Sequence, residues 1–210
     1  MTFTTLFIDL DDTVYPATSG VWELIKQRIS LYMHERLALS WEVIPSQRSY
    51  YYQNFGTTMR GLVADYNIDT QDYLDFVHDV QLDHRLEANH ALRTLLQGMP
   101  QKKLIFTNAD AAHARRVLNA LQLSDCFDDI IDIFALTPFC KPQPMAFQRA
   151  LELSGESEAQ RCVFFDDADA NLKTAKELGF FTVKIGSENP SECCHAAITR
   201  LEEFCKVIPC

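Results

Sequence analysis

Leu6-Phe7-Ile8-Asp9-Leu10-Asp11-Asp12-Thr13 is the stretch on which the reading of the whole chain turns. Three large apolar residues ended by acidic ones suit a strand buried on both faces that delivers carboxylates at its carboxyl end. Period-two alternation sends Asp9 and Asp11 to the same side. Two carboxylates so close repel, and each tends to hold a proton unless a cation sits between them or their roles differ. Taken alone, an Asp-rich turn after a strand also serves as a helix cap or a solvated loop.

Four further apolar runs repeat the pattern: Leu104-Ile105-Phe106 before Thr107-Asn108, Ile130 to Leu136, Cys162 to Phe165 before Asp166, and Phe180 to Ile185. Helical patterns with recognisable ends lie between them. Asp110 or Asn108 suits the cap of 111–121, Pro144 the first turn of 145–153, and Gly179 the stop after 171–178. The last segment, 192–204, places Ile198 and Leu201 at helical spacing. Continuous apolar strands alternating with helices predict an α/β fold, a Rossmann-like parallel sheet with helices on both faces, formed by residues 1–13 and 96–210. Between them, residues 14–95 change texture. Val21, Trp22, Ile25, Ile29, Tyr32 and Met33 recur with a helical period, as do 66–80 and 88–96, and no strand pattern intervenes. This predicts a small all-helical cap inserted after the first strand, over the crevice where open α/β sheets bind ligands.

Composition narrows the partners. The 210 residues are 47% hydrophobic and 23% charged, with a formal net charge of -10. Such a chain repels nucleic-acid backbones and anionic membrane surfaces, so a small diffusing ligand is expected, with no nucleic acid and no membrane partner. An acidic protein that binds an anion needs a metal ion or a placed cation to reverse the local sign. No basic residue precedes the first apolar run and no apolar stretch approaches the roughly 18 residues of a membrane span, so a cytoplasmic protein is expected. Seven cysteines without a Cys-x-x-Cys pair fit reduced thiols. The tail cluster Cys193, Cys194, His195, Cys205 and Cys210 can be drawn as a metal site, but two adjacent cysteines point in different directions.

Other candidate groups sit at the ends of the expected strands. Asp166-Asp167, with Asn171 following on the next helix, makes a hard-oxygen site suited to Mg²⁺; the same residues also suit the amino end of that helix. Thr107-Asn108 offers a hydroxyl, an amide and backbone N–H groups to one anion, or an ordinary cap. Lys141, next to Pro142 and before a helix, brings a point charge to a phosphate, or is a solvated surface residue. Together, in fixed order, the four groups are far more specific than any one of them.

In that order they resemble the signature of the haloacid dehalogenase-like hydrolase superfamily: Asp9, Asp11 and Thr13, then Thr107, then Lys141, then the pair Asp166-Asp167. The resemblance implies a Mg²⁺-dependent phosphomonoester hydrolase in which Asp9 is the nucleophile and forms an aspartyl-phosphate. Asp11 is then the general acid and later the base. Mg²⁺ would be held by the Asp9 carboxylate, the Asp11 backbone carbonyl and Asp167, with Asp166 and Asn171 nearby. Thr107, Asn108 and Lys141 would hold the phosphoryl oxygens. Dehalogenase members lack an acid at the position of Asp11, because a halide needs no proton. A sugar-phosphate phosphatase or a mutase shares all of these motifs, and a phospho-aspartyl switch shares several.

A narrower resemblance covers nearly the whole chain. Asp9 to Pro16, Tyr51-Tyr52 to Gly61-Leu62, Tyr73 to His78, Ile105 to Ala109 with His113, and Phe164 to Asp167 are similar to the pyrimidine 5′-nucleotidase family. That implies a nucleoside monophosphate such as UMP or CMP as substrate. The chain departs from the family at Ala168, where Ser is common, and at Gln81-Leu82-Asp83-His84 in the helical insertion, which bears on substrate choice. Tyr15, Tyr50, Tyr51, Tyr52 and Phe55 are candidates to stack on a base, or are core. Tyr15 is preferred because it follows the acidic loop directly. His78 and His113 are expected as packed or supporting residues.

Overall fold

The computed structural model describes residues 3–208; Cys210 of the tail cluster lies outside them. In chain order the elements are β1 (Thr5–Ile8), α1 (Val21–Leu37), α2 (Ile44–Phe55), α3 (Thr58–Tyr66), α4 (Thr70–His78), α5 (His90–Gly98), β2 (Lys102–Phe106), α6 (Ala111–Ala120), β3 (Asp129–Ile131), α7 (Pro144–Ser154), β4 (Cys162–Asp166), α8 (Asp169–Glu177), β5 (Phe181–Ile185) and β6 (Ala196–Ile198). Among the described residues no helix is long and apolar enough to cross a membrane.

The strands form one parallel sheet in the order β3-β2-β1-β4-β5-β6, the α/β class expected. The chain runs outward from β1 to β3, returns to β4 beside β1, and runs outward the other way. The reversal falls between β1 and β4, and in such sheets ligands bind beyond the carboxyl ends of the strands at that point. Phe7 stands opposite both Leu104 and Phe164. One face therefore gathers Phe7, Phe106 and Phe164 with Phe147 of α7 and Phe180, all at most 1% exposed. The rings meet edge to face, Phe106–Phe147 at 5.2 Å and Phe147–Phe164 at 5.4 Å between centroids, and each buried ring contributes roughly 1.5–3 kcal/mol. This core fixes the strand ends from which the acidic residues project.

The helix ends follow local chemistry. The Asp110 carboxylate accepts from the His113 backbone N–H at 2.8 Å, Pro144 occupies the first turn of α7, and Gly179, with φ of 96°, turns the chain after α8 into β5. Two expectations fail. The strand expected over 130–136 ends at Ile131, because the Asp132 carboxylate accepts from the backbone N–H groups of Ala111 and Ala135 and turns the chain away. The helix expected over 192–204 is instead β6 followed by a 3₁₀ turn at Leu201–Lys206. Pairing with β5 satisfies backbone groups that an open edge would leave bare, while Ile198 and Leu201 are still buried.

The chain divides into two compact units, one comprising the chain to Ser19 with the chain from Asp83 onward, the other Gly20–Leu82. These limits differ from the expected boundaries at 13/14 and 95/96. Residues 14–19 close the turn after β1, and α5 joins the α/β unit, where Asn89 at its start donates to Glu202 at 2.8 Å. The helical period was visible at α5, but not the surface it packs against. Of the cysteines, 126, 140, 162, 193 and 194 are free thiols whereas Cys205 is disulfide-bonded, against the expectation of reduced thiols throughout.

The second unit is helical. Tyr32 of α1 meets Tyr73 of α4 edge to face at 5.0 Å between centroids, and the Arg48 guanidinium of α2 donates to Lys26 O and Ser30 Oγ on α1. Tyr51 of α2 is fully buried, and its hydroxyl donates to Asp65 at 2.8 Å, whereas Tyr50 and Tyr52 are about half exposed. Gly61 lets α3 approach Tyr51: a Cβ there would lie 1.9 Å from Tyr51 Cδ1. Gly61→Ala is expected to destabilise this unit by roughly 1–3 kcal/mol, the usual penalty of overpacking. Thermal unfolding checks it, and an unchanged midpoint would refute the close approach.

Candidate active site

The site is built at the carboxyl ends of β1 and β4. Ile8 pairs with Phe165, and the next backbone N–H, that of Asp9, still donates to Phe165 O at 2.9 Å. Asp9 and Asp166 are therefore held side by side on neighbouring strands. Lys141, 1% exposed, reaches between them: Nζ donates to Asp9 Oδ1 at 2.6 Å and to Asp166 Oδ2 at 2.9 Å. The rings of Phe106 and Phe164 lie 5.1 and 5.4 Å from the ammonium, close enough to add cation–π attraction. Burial alone would depress the Lys141 pKa, but the charges of Asp166 and Asp9 outweigh it and hold the group above its ordinary range, so it stays an ammonium.

Each acidic residue has its own surroundings. Asp166 is fully buried and accepts four hydrogen bonds from three donors: Lys141 Nζ, Ala168 N at 2.8 Å, and Asn171 Nδ2, which reaches Oδ1 at 3.1 Å and Oδ2 at 3.0 Å. A carboxylate offers about four acceptor positions, so Asp166 is the fixed counter-charge of Lys141, and Asn171 holds Asp166 in place. Burial lifts the Asp9 carboxyl well above the ordinary range; Lys141 draws it back while Asp166 and Asp167 push it further up. Burial, then Asp166 and Asp12, raise Asp167 to about 6. Asp9, Asp166 and Asp167 offer oxygens that all lie within 4.8 Å of one another. Three carboxylates against one ammonium, two of them with raised pKa values, form a donor set that a hard divalent cation fits. With Asp166 saturated, Asp9 and Asp167 are the side chains open to it. The tail cysteines form no comparable group among the described residues.

Asp11 is directed elsewhere. β1 ends at Ile8, so the alternation expected to put Asp9 and Asp11 on one side does not extend that far. The Val14 backbone N–H returns to Leu10 O at 3.0 Å, and Asp12 adopts a left-handed conformation, φ 57°, which Asp tolerates better than most residues. Asp11 Oδ1 instead accepts from the Tyr15 hydroxyl and faces His113 Nε2 at 3.1 Å.

Two of the expected residues have side chains engaged with other partners. Tyr15, expected to stack on a substrate base, is 2% exposed with its hydroxyl on Asp11. Asn108, expected among the phosphate ligands, has its side chain engaged with the backbone of Lys141: Nδ2 donates to Lys141 O and Oδ1 accepts from Lys141 N, both at 2.9 Å. It fastens the loop after β2 to the loop carrying Lys141. Thr107 is buried, and its Oγ1 accepts from Ala109 N at 3.0 Å, leaving its own hydrogen for an anion. Thr13 lies buried in the turn after β1. His113, expected as a packed or supporting residue, is buried with Nε2 toward Asp11 Oδ1, a partner not named from the sequence. The available signal was Asp110, which as N-cap sets the first turn of α6 and hence the place of the residue three positions on. A cleft of about 450 Å³ opens beside Asp167 and Thr13, lined also by Val14, Tyr15, Ile185 and Arg200.

The chain belongs to the haloacid dehalogenase-like hydrolases: the family model matches residues 3–179. Phosphate metabolism protein 8 of Saccharomyces cerevisiae is 30% identical over 187 residues, which cover 82% of this chain and 58% of the yeast protein. Glyceraldehyde 3-phosphate phosphatase of Methanocaldococcus jannaschii is 25% identical over 194 residues, covering 86% and 83%. Among solved structures, the HAD-hydrolase YfnB from Bacillus subtilis, bound to magnesium, aligns over 100% of both chains with a TM-score of 0.64 at 16% identity, a likeness of fold.

The raised carboxyls have a consequence for stability. Between pH 4 and 6, roughly, the native metal-free protein binds more protons at Asp9 and Asp167 than the unfolded chain does. Its stability therefore falls as pH rises through that window. A divalent cation must displace those protons, so its stabilisation grows as pH rises through the range in which Asp167, near 6, and Asp9 lose them. Mg²⁺ at about 100 times its Kd is expected to add about 2.7 kcal/mol at pH 7.5, with much less at pH 5. Thermal unfolding with and without Mg²⁺ at both pH values checks this; an equal shift at both would contradict it.

Proposed function

We propose that this protein is a Mg²⁺-dependent phosphomonoesterase that transfers the phosphoryl group of its substrate to Asp9, with pyrimidine nucleoside monophosphates such as UMP and CMP as preferred substrates. The observation that carries the reading is the separation of two carboxylates only two residues apart. Asp9 is paired with the buried Lys141, and Asp11 is held by Tyr15 and His113. One carboxylate kept against a cation and another kept among hydrogen-bond donors suit a nucleophile and a proton donor.

In the first step an Asp9 oxygen attacks phosphorus, the bond to the leaving oxygen breaks, and Asp11 gives that oxygen its proton. In the second, Asp11 takes a proton from water as it attacks the aspartyl-phosphate, releasing inorganic phosphate and restoring Asp9. Lys141 and the Thr107 hydroxyl hold the phosphoryl oxygens, with the backbone N–H groups after β2 beside them. Asp166 and Asn171 keep Lys141 in place, and Asn108 ties the two loops together. Asp9 and Asp167 would hold a divalent cation, which would supply positive charge to offset the phosphoryl oxygens.

Membership in the hydrolase family supports the reaction class, and the name of the archaeal relative supports a phosphate ester as substrate. The nucleotide preference rests on the resemblance to pyrimidine 5′-nucleotidases, and the cleft beside Asp167 has the volume of a small-molecule site.

Phosphate release from UMP, CMP, AMP, pyridoxal phosphate and glyceraldehyde 3-phosphate, with and without Mg²⁺, tests both levels. Mg²⁺-dependent release, fastest from UMP or CMP, is the expected result. Preference for another ester would overturn the specificity. A long-lived aspartyl-phosphate without turnover would overturn the phosphatase reading in favour of a switch. Asp9→Asn is expected to abolish turnover while still folding, and Asp11→Asn to slow it by about 10²–10⁴-fold.

A further inference from the structure

Asp11 is met by donors from two parts of the α/β unit, and both address the same oxygen. Tyr15, in the turn after β1, donates its hydroxyl to Oδ1, and His113, on the first turn of α6, places Nε2 3.1 Å from that oxygen. Both are almost fully buried, at 2% and 1% exposure, so these bonds form where water competes little and are correspondingly strong. His113 is anchored independently, because its backbone N–H caps onto Asp110. A carboxyl group turns easily about its last torsion, and a single partner leaves that rotation loose. Two partners converging on one oxygen fix both the plane and which oxygen faces which way.

We propose that Tyr15 and His113 are positioning residues that clamp Oδ1 of Asp11 so that Oδ2 carries the proton exchanged with the leaving group and then with water. The inference rests on the reading of Asp11 as general acid and base. In the ionised carboxylate, Oδ1 accepts from Tyr15 O–H and from His113 Nε2–H. When Asp11 is protonated, Oδ1 keeps both bonds and the proton sits on Oδ2. Transfer to the leaving oxygen forms one O–H bond and breaks another, returning Asp11 to the ionised form; the attacking water later restores the proton. The proton exchanged in both steps stays on Asp11 Oδ2, the leaving oxygen or water. Burial and the nearby Asp11 charge raise the pKa of the Tyr15 phenol, which keeps it a donor throughout.

The clamp acts on proton delivery, so its removal is visible only where delivery matters. An alkyl leaving group such as the 5′-oxygen of UMP needs a proton as it departs, whereas p-nitrophenolate leaves without one. With enzyme in excess and Mg²⁺ present, Tyr15→Phe and His113→Ala are expected to slow uridine release from UMP by roughly 10- to 100-fold, part of the usual worth of general acid–base catalysis. Release of p-nitrophenol from its phosphate should stay within about threefold of wild type. With substrate in excess, the variants should show a burst of p-nitrophenol followed by slow turnover, because hydrolysis of the aspartyl-phosphate still needs Asp11 as base. His113→Gln, which keeps an N–H donor near the position of Nε2, should recover much of the lost rate. Equal slowing of both esters, or no slowing of either, overturns the clamp while leaving the phosphatase reading in place. Failure of the wild-type protein to release either leaving group overturns the phosphatase reading itself, and the clamp with it.

Discussion

Lys141 is a buried ammonium between two carboxylates, and the arrangement of the α/β unit is organised around it. Moving such a charge out of water is tolerable only where opposite charges and hydrogen bonds meet it with good geometry. Adjacent parallel strands provide that geometry. The register of β1 against β4 puts Asp9 and Asp166 at the same height, and the aromatic faces of Phe106 and Phe164 flank the ammonium. Asn171 and the Ala168 N–H complete Asp166, and Asn108 clasps the Lys141 backbone. Loss of Lys141 would leave Asp9 and Asp166 side by side without their counter-charge. The same phenylalanines that close the core thus also set the electrostatics above it.

Much of this was legible in the sequence, because buried parallel strands leave continuous apolar runs and acidic residues ending such runs are conspicuous. Asp9, Lys141 and Asp166-Asp167 were legible as a group because each follows such a run. Side-chain partnerships were less so. Asn108 was expected to face an anion, and only the proximity of two loops turns its amide to the Lys141 backbone. Tyr15 follows the acidic loop, which suited a substrate contact equally well until the turn brought its hydroxyl to Asp11. The short β6 escaped notice because three apolar or small residues beside polar ones fit a helix as well as an edge strand, and only the pairing partner decides between them.

The acidity of the chain is compatible with a site for anions because the carboxylates are not equivalent. Asp166 is saturated by donors and serves as counter-charge to Lys141. Asp9 and Asp167 are desolvated without being fully compensated, which raises both and makes them receptive to a cation. A net charge of -10 spread over the chain has little bearing on the field beside the buried ammonium, since distant surface charges are screened over about 10 Å of ordinary saline.

The difference in surroundings between Asp9 and Asp11 begins in the backbone. Had β1 continued, alternation would have sent both carboxylates to one side, and their repulsion would have coupled their titrations. The strand stops at Ile8, and the chain closes a turn back onto Leu10 O with Asp12 in the left-handed region. That turn separates the two groups by environment although two residues separate them in sequence. Asp9 stays with the sheet and the ammonium, while Asp11 swings to the hydroxyl of Tyr15 and the imidazole of α6. A single tight turn thereby gives one short acidic run two kinds of carboxylate, one against a buried ammonium and one among a hydroxyl and an imidazole.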